Sequence, residues 1–424
     1  MNNTQTTILN LIKATLNPET NQGSIEIQNY DELLQELSDQ SIIGIPGEYI
    51  VKSESTPVDV KQKWTNIVYS QVAKWTKLME EQTKLIKLLD ENDIELAIIK
   101  GSAAAMNYPK PEYRMMGDVD FFVKEEDFER AFDLLKENGY EYALDEAYGE
   151  LHKNKEQYHH VELSKGDVVF ELHRRMSDTI QGKETDEKIE NLIMEGMYHI
   201  EKGRIGEYEF PMFEKKLNGL IILRHIIQHL GGSKGVGLRH ILDWMMFVEK
   251  NVDDAYWKNE FAAYLDEVNL KDAAIVFARM AQIYFGMDES ITWCKIDNKN
   301  ESNLQDAKDK AKAQAELDAL CKGWMEQIMA SGNFGAKMTK EDEGASVLYK
   351  NKNVFTMIGS LQRLGVENWA LAREHKILRP FAWAYQVGRY ARKGLGRKAP
   401  IKSLKKDMEK SKDKKELMNK LNIN

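Results

Sequence analysis

The stretch that most constrains the fold of this chain runs from residue 93 to residue 123. It begins with DIELAII, a short segment rich in apolar and β-branched residues that predicts a buried strand. The residues KGS interrupt this strand, and the AAAM that follows favours a helical turn. Pro109 and Pro111 open a loop, and DVDFFV then predicts a second strand. This order of strand, turn, loop and strand places a small mixed sheet at the centre of the chain.

The two predicted strands carry a candidate cation site and a candidate anion site. Asp118 and Asp120 share one face of the second strand, because successive side chains of a strand point to opposite faces. Two neighbouring carboxylates repel each other unless a cation lies between them, and oxygen ligands suit Mg²⁺ or Mn²⁺. The backbone N–H groups around Gly101 and Ser102 lie at a strand-to-helix junction, where an anion is favoured.

These motifs resemble a known family. Gly101-Ser102 at a strand end, followed by an Asp-x-Asp motif on the next strand, resembles the nucleotidyltransferase superfamily that includes DNA polymerase beta. The fuller pattern resembles the bacterial "uncharacterised nucleotidyltransferase" family, and it comprises Lys100, Gly101-Ser102, Tyr108-Pro109, Arg114 and Met116-Gly117-Asp118-Val119-Asp120. The alternative is a surface loop before an acidic strand start, but the combination of motifs in strand context favours the family.

A β-hairpin is predicted next, with strands at 158–163 and 168–173 joined by a turn at 164–167. Phe170 and Leu172 are expected to point to the core. Glu171 and His173 then share the opposite face, and a turn at Lys165-Gly166 places His160 across from Glu171.

The hairpin also supplies a candidate third carboxylate. In the superfamily that the chain resembles, a third acid comes from a neighbouring strand, and the sequence from Phe170 to His173 resembles the family's Val-Glu-Leu-His element. The resemblance therefore implies that Glu171 is the third metal ligand, with Glu162 as the alternative. A solvated glutamate on the open face of a sheet is the other interpretation.

A histidine pair lies on a predicted helix further along the chain. The apolar spacing from Leu217 to Leu230 predicts a helix, and His225 and His229 lie four residues apart on one of its faces. Such a pair can bind a metal, but no acidic or cysteine partner accompanies it in sequence. The family shows a similar pair followed by a helix like the one that runs here from Arg239 to Trp244. The alternatives are contact with the substrate and interhelical hydrogen bonding, and the second is favoured because histidine is often structural.

Composition narrows the class of protein further. The chain has 424 residues, which predicts two or three domains. The two cysteines, Cys294 and Cys321, form no disulfide or metal framework and suit a reducing compartment. No window approaches the roughly 20 apolar residues of a membrane span, and the first residues lack the features of a signal peptide. A cytoplasmic location is therefore expected.

Charge is distributed unevenly along the chain. The net charge of −9 argues against non-specific binding of a long nucleic acid by the whole surface. From Arg392 to Asn424, however, 12 Lys and Arg residues stand against 4 Asp and Glu residues. The segment from Pro380 to Leu395 is amphipathic and basic, which permits weak contact with a membrane surface or an anionic partner. A helix packed on the body with a solvated basic tail is the favoured alternative.

We predict an α+β fold in which a small mixed-sheet nucleotidyltransferase core is surrounded by N- and C-terminal helices. The expected divisions are an N-terminal helical region at 1–90, the core at 91–180, a helical domain at 181–330, and a loop, helices and basic tail at 331–424.

The resemblance implies a metal-dependent enzyme that moves a nucleotidyl group from an NTP to an acceptor hydroxyl, with a small molecule or a protein as the favoured acceptor. Asp118, Asp120 and Glu171 are the expected catalytic residues and ligands of Mg²⁺ or Mn²⁺. The residues expected to bind substrate are Lys100, Gly101, Ser102, Arg114, His160, His173, His225 and His229. The alternative is a catalytically silent nucleotide-binding or regulatory module on the same fold, usually marked by loss of a carboxylate. All three candidate carboxylates are present.

Overall fold

The structure is a computed structural model. It describes residues 1–17, 24–142, 160–176, 181–231, 235–296, 304–333, 336–337 and 375–395, together with short pieces between 361 and 372 and at 416–421. The predicted loop at 145–157 lies outside the described residues, as do most of 331–353 and most of the basic tail.

The chain forms two compact units. One comprises Met1–Tyr142, His159–Lys337 and Leu421–Asn424, and the other comprises Ala143–Tyr158 and Met338–Lys420. The sheet and every residue of the candidate site belong to the first unit.

Helices form most of the first unit. They are α1 (Asn3–Leu16), α2 (Tyr30–Asp39), α3 (Gly44–Lys52), α4 (Val58–Asp90), α5 (Gly101–Ala105), α6 (Phe128–Glu137), α7 (Lys183–Gly196), α8 (Lys215–Gly231), α9 (Leu238–Asn251), α10 (Asp254–Tyr256), α11 (Ala262–Asp266), α12 (Lys271–Phe285) and α13 (Leu304–Ser331). Short 3-10 turns at Pro111–Tyr113 and Glu125–Asp127 and a π turn at Trp257–Phe261 complete the unit. In the second unit, a 3-10 turn at Lys376–Phe381 leads into α14 (Ala382–Leu395).

Seven strands form one mixed sheet. They are β1 (Leu96–Ile99), β2 (Asp118–Val123), β3 (Glu141–Tyr142), β4 (His160–Lys165), β5 (Val168–His173), β6 (Ile200–Ile205) and β7 (Tyr208–Phe213). Their order across the sheet is β3-β4-β5-β2-β1-β7-β6. β2 runs antiparallel to β1 and parallel to β5, and β1 runs parallel to β7. The predicted α+β fold, a mixed sheet surrounded by helices, is confirmed.

The core lies between one face of this sheet and the helices α4 and α6. Leu85 of α4 and Phe132 of α6 belong to the same buried cluster as Phe121, Phe170 and Leu172 of the central strands. Phe170 and Leu172 are fully buried, as the hairpin pattern predicts. Since apolar side chains occupy this face, the alternate residues of β2 and β5 are presented on the other face.

The β6–β7 hairpin was not predicted. The sequence analysis assigned 181–330 to a helical domain, but Ile200–Ile205 and Tyr208–Phe213 are strands joined at Gly206, where φ is +57°. β6 carries three exposed charged residues, Glu201, Lys202 and Arg204, which suit the last strand of a sheet. β7 extends the sheet beside β1.

The β4–β5 hairpin exists, but its predicted register was wrong. The two turn residues are Gly166 and Asp167, and Lys165 pairs with Val168. His160 therefore lies across from His173, not from Glu171. A positive φ of +63° at Gly166 moves the turn one residue later than predicted, since glycine adopts this conformation at little cost.

The described helices include none that combines the length and the apolar character needed to cross a membrane.

Candidate active site

The register of the central strands brings three carboxylates together. Asp120 of β2 is the direct neighbour of Glu171 on β5, and Asp118 lies two residues earlier on the same face of β2. Oxygen atoms of Asp118, Asp120 and Glu171 all lie within 4.8 Å of one another. Glu162, the alternative third acid, is exposed and lies across from Glu171 on β4.

Lys100 places an ammonium group against these acids. It follows the last residue of β1 and has a φ of +53°, a backbone conformation that non-glycine residues rarely adopt and that is often found at functional sites. Its Nζ lies 2.8 Å from Asp120 Oδ1 and 3.9 Å from Glu171 Oε2. Burial lowers the pKa of Lys100, but the nearby carboxylates outweigh burial and the pKa is raised. Lys100 is therefore charged at neutral pH.

A buried histidine supplies the second positive group. His173 Nδ1 lies 3.2 Å from the carbonyl oxygen of Arg175, to which it donates, while Nε2 lies 3.0 Å from Asp120 Oδ1 and 3.2 Å from Glu171 Oε2. Burial and the charge of Lys100 lower the pKa of His173, but its hydrogen bonds to the two carboxylates raise it overall. His160 Nε2 lies 3.6 Å from Glu171 Oε1 on the same face.

The positive groups near the cluster do not fully compensate the negative charge at Asp118. Burial, followed by the carboxylates of Asp120 and Glu171, raises the pKa of Asp118 to about 7. Glu171 differs: burial acts to raise its pKa, but the hydrogen bond from His173 and the charges of His173 and Lys100 lower it overall. Crowded carboxylates that are short of positive charge, with oxygens this close together, fit a hard divalent cation such as Mg²⁺ or Mn²⁺.

Arg114 is held by a buried acid. Its Nε and Nη2 lie 2.7 Å from Asp243 Oδ1 and Oδ2, and the hydroxyl of Tyr108 donates to the same carboxylate at 2.7 Å. All three side chains are buried. Arg114 therefore forms a buried bidentate pair with Asp243 on α9.

This arrangement joins two motifs that are far apart in sequence. Tyr108 and Arg114 belong to the loop before β2, whereas Asp243 belongs to the helix after the histidine pair. One turn earlier on α9, Arg239 donates to the carbonyl oxygen of Met115 at 2.9 Å. Sequence reasoning noted the Arg239–Trp244 helix but assigned no role to Asp243. The spacing of Arg239 and Asp243, four residues apart on one helix face, is the signal that could have indicated it.

The Gly101-Ser102 turn opens α5 directly after Lys100. Ser102 is fully buried and its hydroxyl donates to Gln82 Oε1 at 2.7 Å. A Cβ added at Gly101 would lie 3.2 Å from Met116 Cε, so the residue packs closely against the loop before β2. The Ser102 hydroxyl is thus engaged inside the fold.

The two predicted histidines of α8 lie next to a third. His225 Nε2 and His229 Nε2 are 2.9 Å apart, and His240 of α9 faces both rings. The sequence could not indicate His240, because its proximity depends on how α8 and α9 pack. His225 and His240 line a small pocket together with Lys100, Arg114 and Asp243.

The structure thus divides the predicted residues into two groups. One group lies at the carboxylate cluster and the other at the α8 histidines. Lys100 contacts Asp120 of the first group and lines the pocket that contains His225 of the second. The first group contains Lys100, Asp118, Asp120, His160, Glu171 and His173.

Comparison with known proteins gives one match. The family model described as "Uncharacterised nucleotidyltransferase" matches residues 27–286, which include both groups and more than half of the chain. No curated protein and no solved structure gives a significant match.

Proposed function

Because the chain belongs to the uncharacterised nucleotidyltransferase family, we propose that it is a metal-dependent enzyme that moves a nucleotidyl group from an NTP to an acceptor hydroxyl and releases pyrophosphate. Membership in the DNA polymerase beta-like superfamily is part of this proposal. The carboxylate cluster is the observation that carries it: one carboxylate oxygen from each of Asp118, Asp120 and Glu171 lies within 4.8 Å of the other two, on adjacent strands.

The three carboxylates would hold Mg²⁺ or Mn²⁺. The raised pKa of Asp118 supports this assignment, since it reflects burial together with the negative charges of Asp120 and Glu171, which Lys100 only partly offsets. When bound, the metal would supply Lewis-acid stabilisation of negative charge at the transferred phosphate and at the attacking oxygen.

The other residues of the cluster would orient the reactants. The pKa of Glu171 is lowered, so its carboxylate is ionised at neutral pH and can accept a hydrogen bond that orients the acceptor hydroxyl. His173 fixes the orientations of Asp120 and Glu171 through its Nε2. Lys100 would turn from Asp120 towards the triphosphate when the metal binds, and the backbone around Gly101 would hold the phosphates.

The acceptor is a small molecule or a protein in this proposal. The net charge of −9 disfavours a long nucleic acid.

One observation favours the alternative, a catalytically silent nucleotide-binding module. The ammonium of Lys100 is only 2.8 Å from Asp120 Oδ1, where it compensates a carboxylate that a metal would otherwise use.

The test is transfer of label to an acceptor. The purified chain is incubated with Mg²⁺, an extract of the source cells and each NTP labelled at its α-phosphate, and the products are separated to find the labelled acceptor. We expect label to be transferred by the wild type but not by Asp120→Asn or in the presence of EDTA. Equal labelling by the wild type and the variant would contradict the role of Asp120, and labelling from no NTP would favour the silent module.

A further inference from the structure

Three histidines of α8 and α9 form a compact cluster separate from the carboxylates. The ring centres of His225, His229 and His240 are 4.6, 5.0 and 5.2 Å apart. Each ring offers one nitrogen, and the three nitrogens lie within 4.8 Å of one another. Two ligands four residues apart on one helix, with a third from the next helix, form an arrangement that binds a metal ion.

The geometry of the cluster can be compared with a tetrahedral site. With metal–nitrogen distances near 2.0–2.1 Å, three imidazoles on one ion have ring centres about 5.2 Å apart and nitrogens about 3.3 Å apart. The observed centres lie at 4.6 to 5.2 Å. The closest nitrogens, His225 Nε2 and His229 Nε2, lie at 2.9 Å and need to separate by only a few tenths of an ångström.

From this geometry we propose that His225, His229 and His240 bind a borderline transition-metal ion, such as Zn²⁺, at a second metal site. Nitrogen ligands suit such an ion, whereas the carboxylate site suits Mg²⁺ or Mn²⁺. None of the three histidines belongs to the carboxylate cluster, so this inference does not depend on the proposed transfer reaction.

The surroundings of the cluster support the ligand role. Burial, followed by neighbouring positive groups, keeps the pKa of His225 and His240 well below the usual range, so both imidazoles are neutral. Neutral imidazole is the form that ligates a metal. His225 and His240 also line the small pocket that reaches Lys100. This pocket offers space beside the two rings for a further ligand of the metal ion.

The fourth coordination position would take an anion. Three neutral imidazoles leave the ion its full charge of +2, and Lys100 and Arg114 border the same pocket. A hydroxide ion, which is small enough for this pocket, would therefore complete the site.

The test is titration of the tag-free, EDTA-treated full chain with Co²⁺, whose visible absorption reports tetrahedral coordination, followed by displacement with Zn²⁺. We expect one equivalent to bind, and binding to weaken at least about 100-fold in His229→Gln and in His240→Gln, because each removes a ligand. His229 is only half-buried, so its variant remains informative if the buried His240 variant fails to fold.

Two control variants distinguish metal binding at the histidine cluster from metal binding elsewhere on the protein. His199→Gln changes an exposed histidine and should bind as the wild type does. The double variant Asp118→Asn/Glu171→Gln removes the carboxylate site and should keep the Co²⁺ spectrum. The proposal is overturned if the wild type binds no stoichiometric Co²⁺ or Zn²⁺, if His229→Gln binds as tightly as the wild type, or if only the double variant loses binding.

Discussion

Asp118 carries the least compensated charge of the carboxylate cluster. Lys100 and His173 both lie against Asp120 and Glu171, whereas burial and these same two acids raise the pKa of Asp118 to about 7. Its ionisation near neutral pH therefore depends on whether a cation is bound.

This pKa predicts how the stability of the metal-free protein varies with pH. The folded pKa of Asp118 lies above its ordinary value of 3.8, so the folded state keeps a proton that the unfolded state releases. Stability must then fall as pH rises from about 4 to about 7, by at most about 1.4 kcal/mol per pH unit. The raised pKa of His173 acts in the same direction near neutral pH.

We expect the melting temperature of the wild type in EDTA to fall between about pH 5 and pH 8. Asp118→Asn should flatten this dependence, leaving the smaller part due to His173, and Mg²⁺ should flatten it for the wild type. Equal pH slopes for wild type and Asp118→Asn would show that Asp118 is ionised throughout and that its charge is compensated.

A second prediction concerns Arg114. A guanidinium holds phosphate through two parallel hydrogen bonds, whereas an ammonium acts as a point charge. We expect Arg114→Lys to weaken NTP binding at fixed Mg²⁺ although the charge is kept, and Lys100→Met to weaken it as well, both measured by calorimetry. A lower melting temperature of Arg114→Lys with unchanged NTP affinity would show that Arg114 acts only through its pair with Asp243. Unchanged NTP affinity in both variants would contradict the phosphate role.

The buried pair of Arg114 and Asp243 connects two elements, the loop before β2 and the helix α9. Removing one partner of a buried ion pair leaves the other charge uncompensated and costs about 3–5 kcal/mol. We therefore expect Asp243→Asn to lower the free energy of unfolding by that amount. Tyr108→Phe is the matched control, because it removes one neutral hydrogen bond to the same carboxylate and should cost about 1 kcal/mol. Equal losses in the two variants would mean that the pair contributes no more than a neutral contact.

The β4–β5 turn is the element that sets the register of this hairpin. A Cβ at Gly166 would meet no atom within 4 Å, so the cost of Gly166→Ala comes from its positive φ alone. We expect a loss of about 1 kcal/mol in the free energy of unfolding measured in urea. Gly117→Ala is the control, since its Cβ also meets nothing within 4 Å and its φ is not positive. A loss of similar size in the control would show that the positive φ of Gly166 is not the cause.

Periodicity was sufficient to predict the elements that carry the carboxylates. β2 was predicted with its observed bounds, and β5 with the correct residues facing the core. The register of the hairpin was wrong because a shift of the turn preserves the alternation of faces, so the pattern cannot detect it. The β6–β7 hairpin was missed because the last strand, β6, carries charged residues that weaken its apolar signal.

At the scale of the whole molecule, the sequence could not indicate which helices meet. Asp243 and His240 lie on α9, more than 100 residues after the loop before β2, and each contacts residues that sequence analysis had assigned separately. Contacts of this kind depend on helix packing, which apolar spacing predicts only as a buried face. The sequence therefore indicated the carboxylates but not the residues of α9 that complete their surroundings.

The central claim is that Asp118, Asp120 and Glu171 hold a divalent metal ion, and that the protein binds an NTP only when this ion is present. The most direct test is calorimetric titration of non-hydrolysable analogues of the four NTPs into the wild type and Asp120→Asn, with and without Mg²⁺. Asp167→Asn is the matched control, because Asp167 is an exposed acid on the turn of the neighbouring hairpin.

We predict that at least one analogue binds the wild type and Asp167→Asn only with Mg²⁺. Asp120→Asn should bind it at least about 100-fold more weakly while keeping its thermal unfolding transition, since the change preserves shape and removes charge. Binding that is independent of Mg²⁺, or an affinity of Asp120→Asn equal to that of the wild type, would contradict the account.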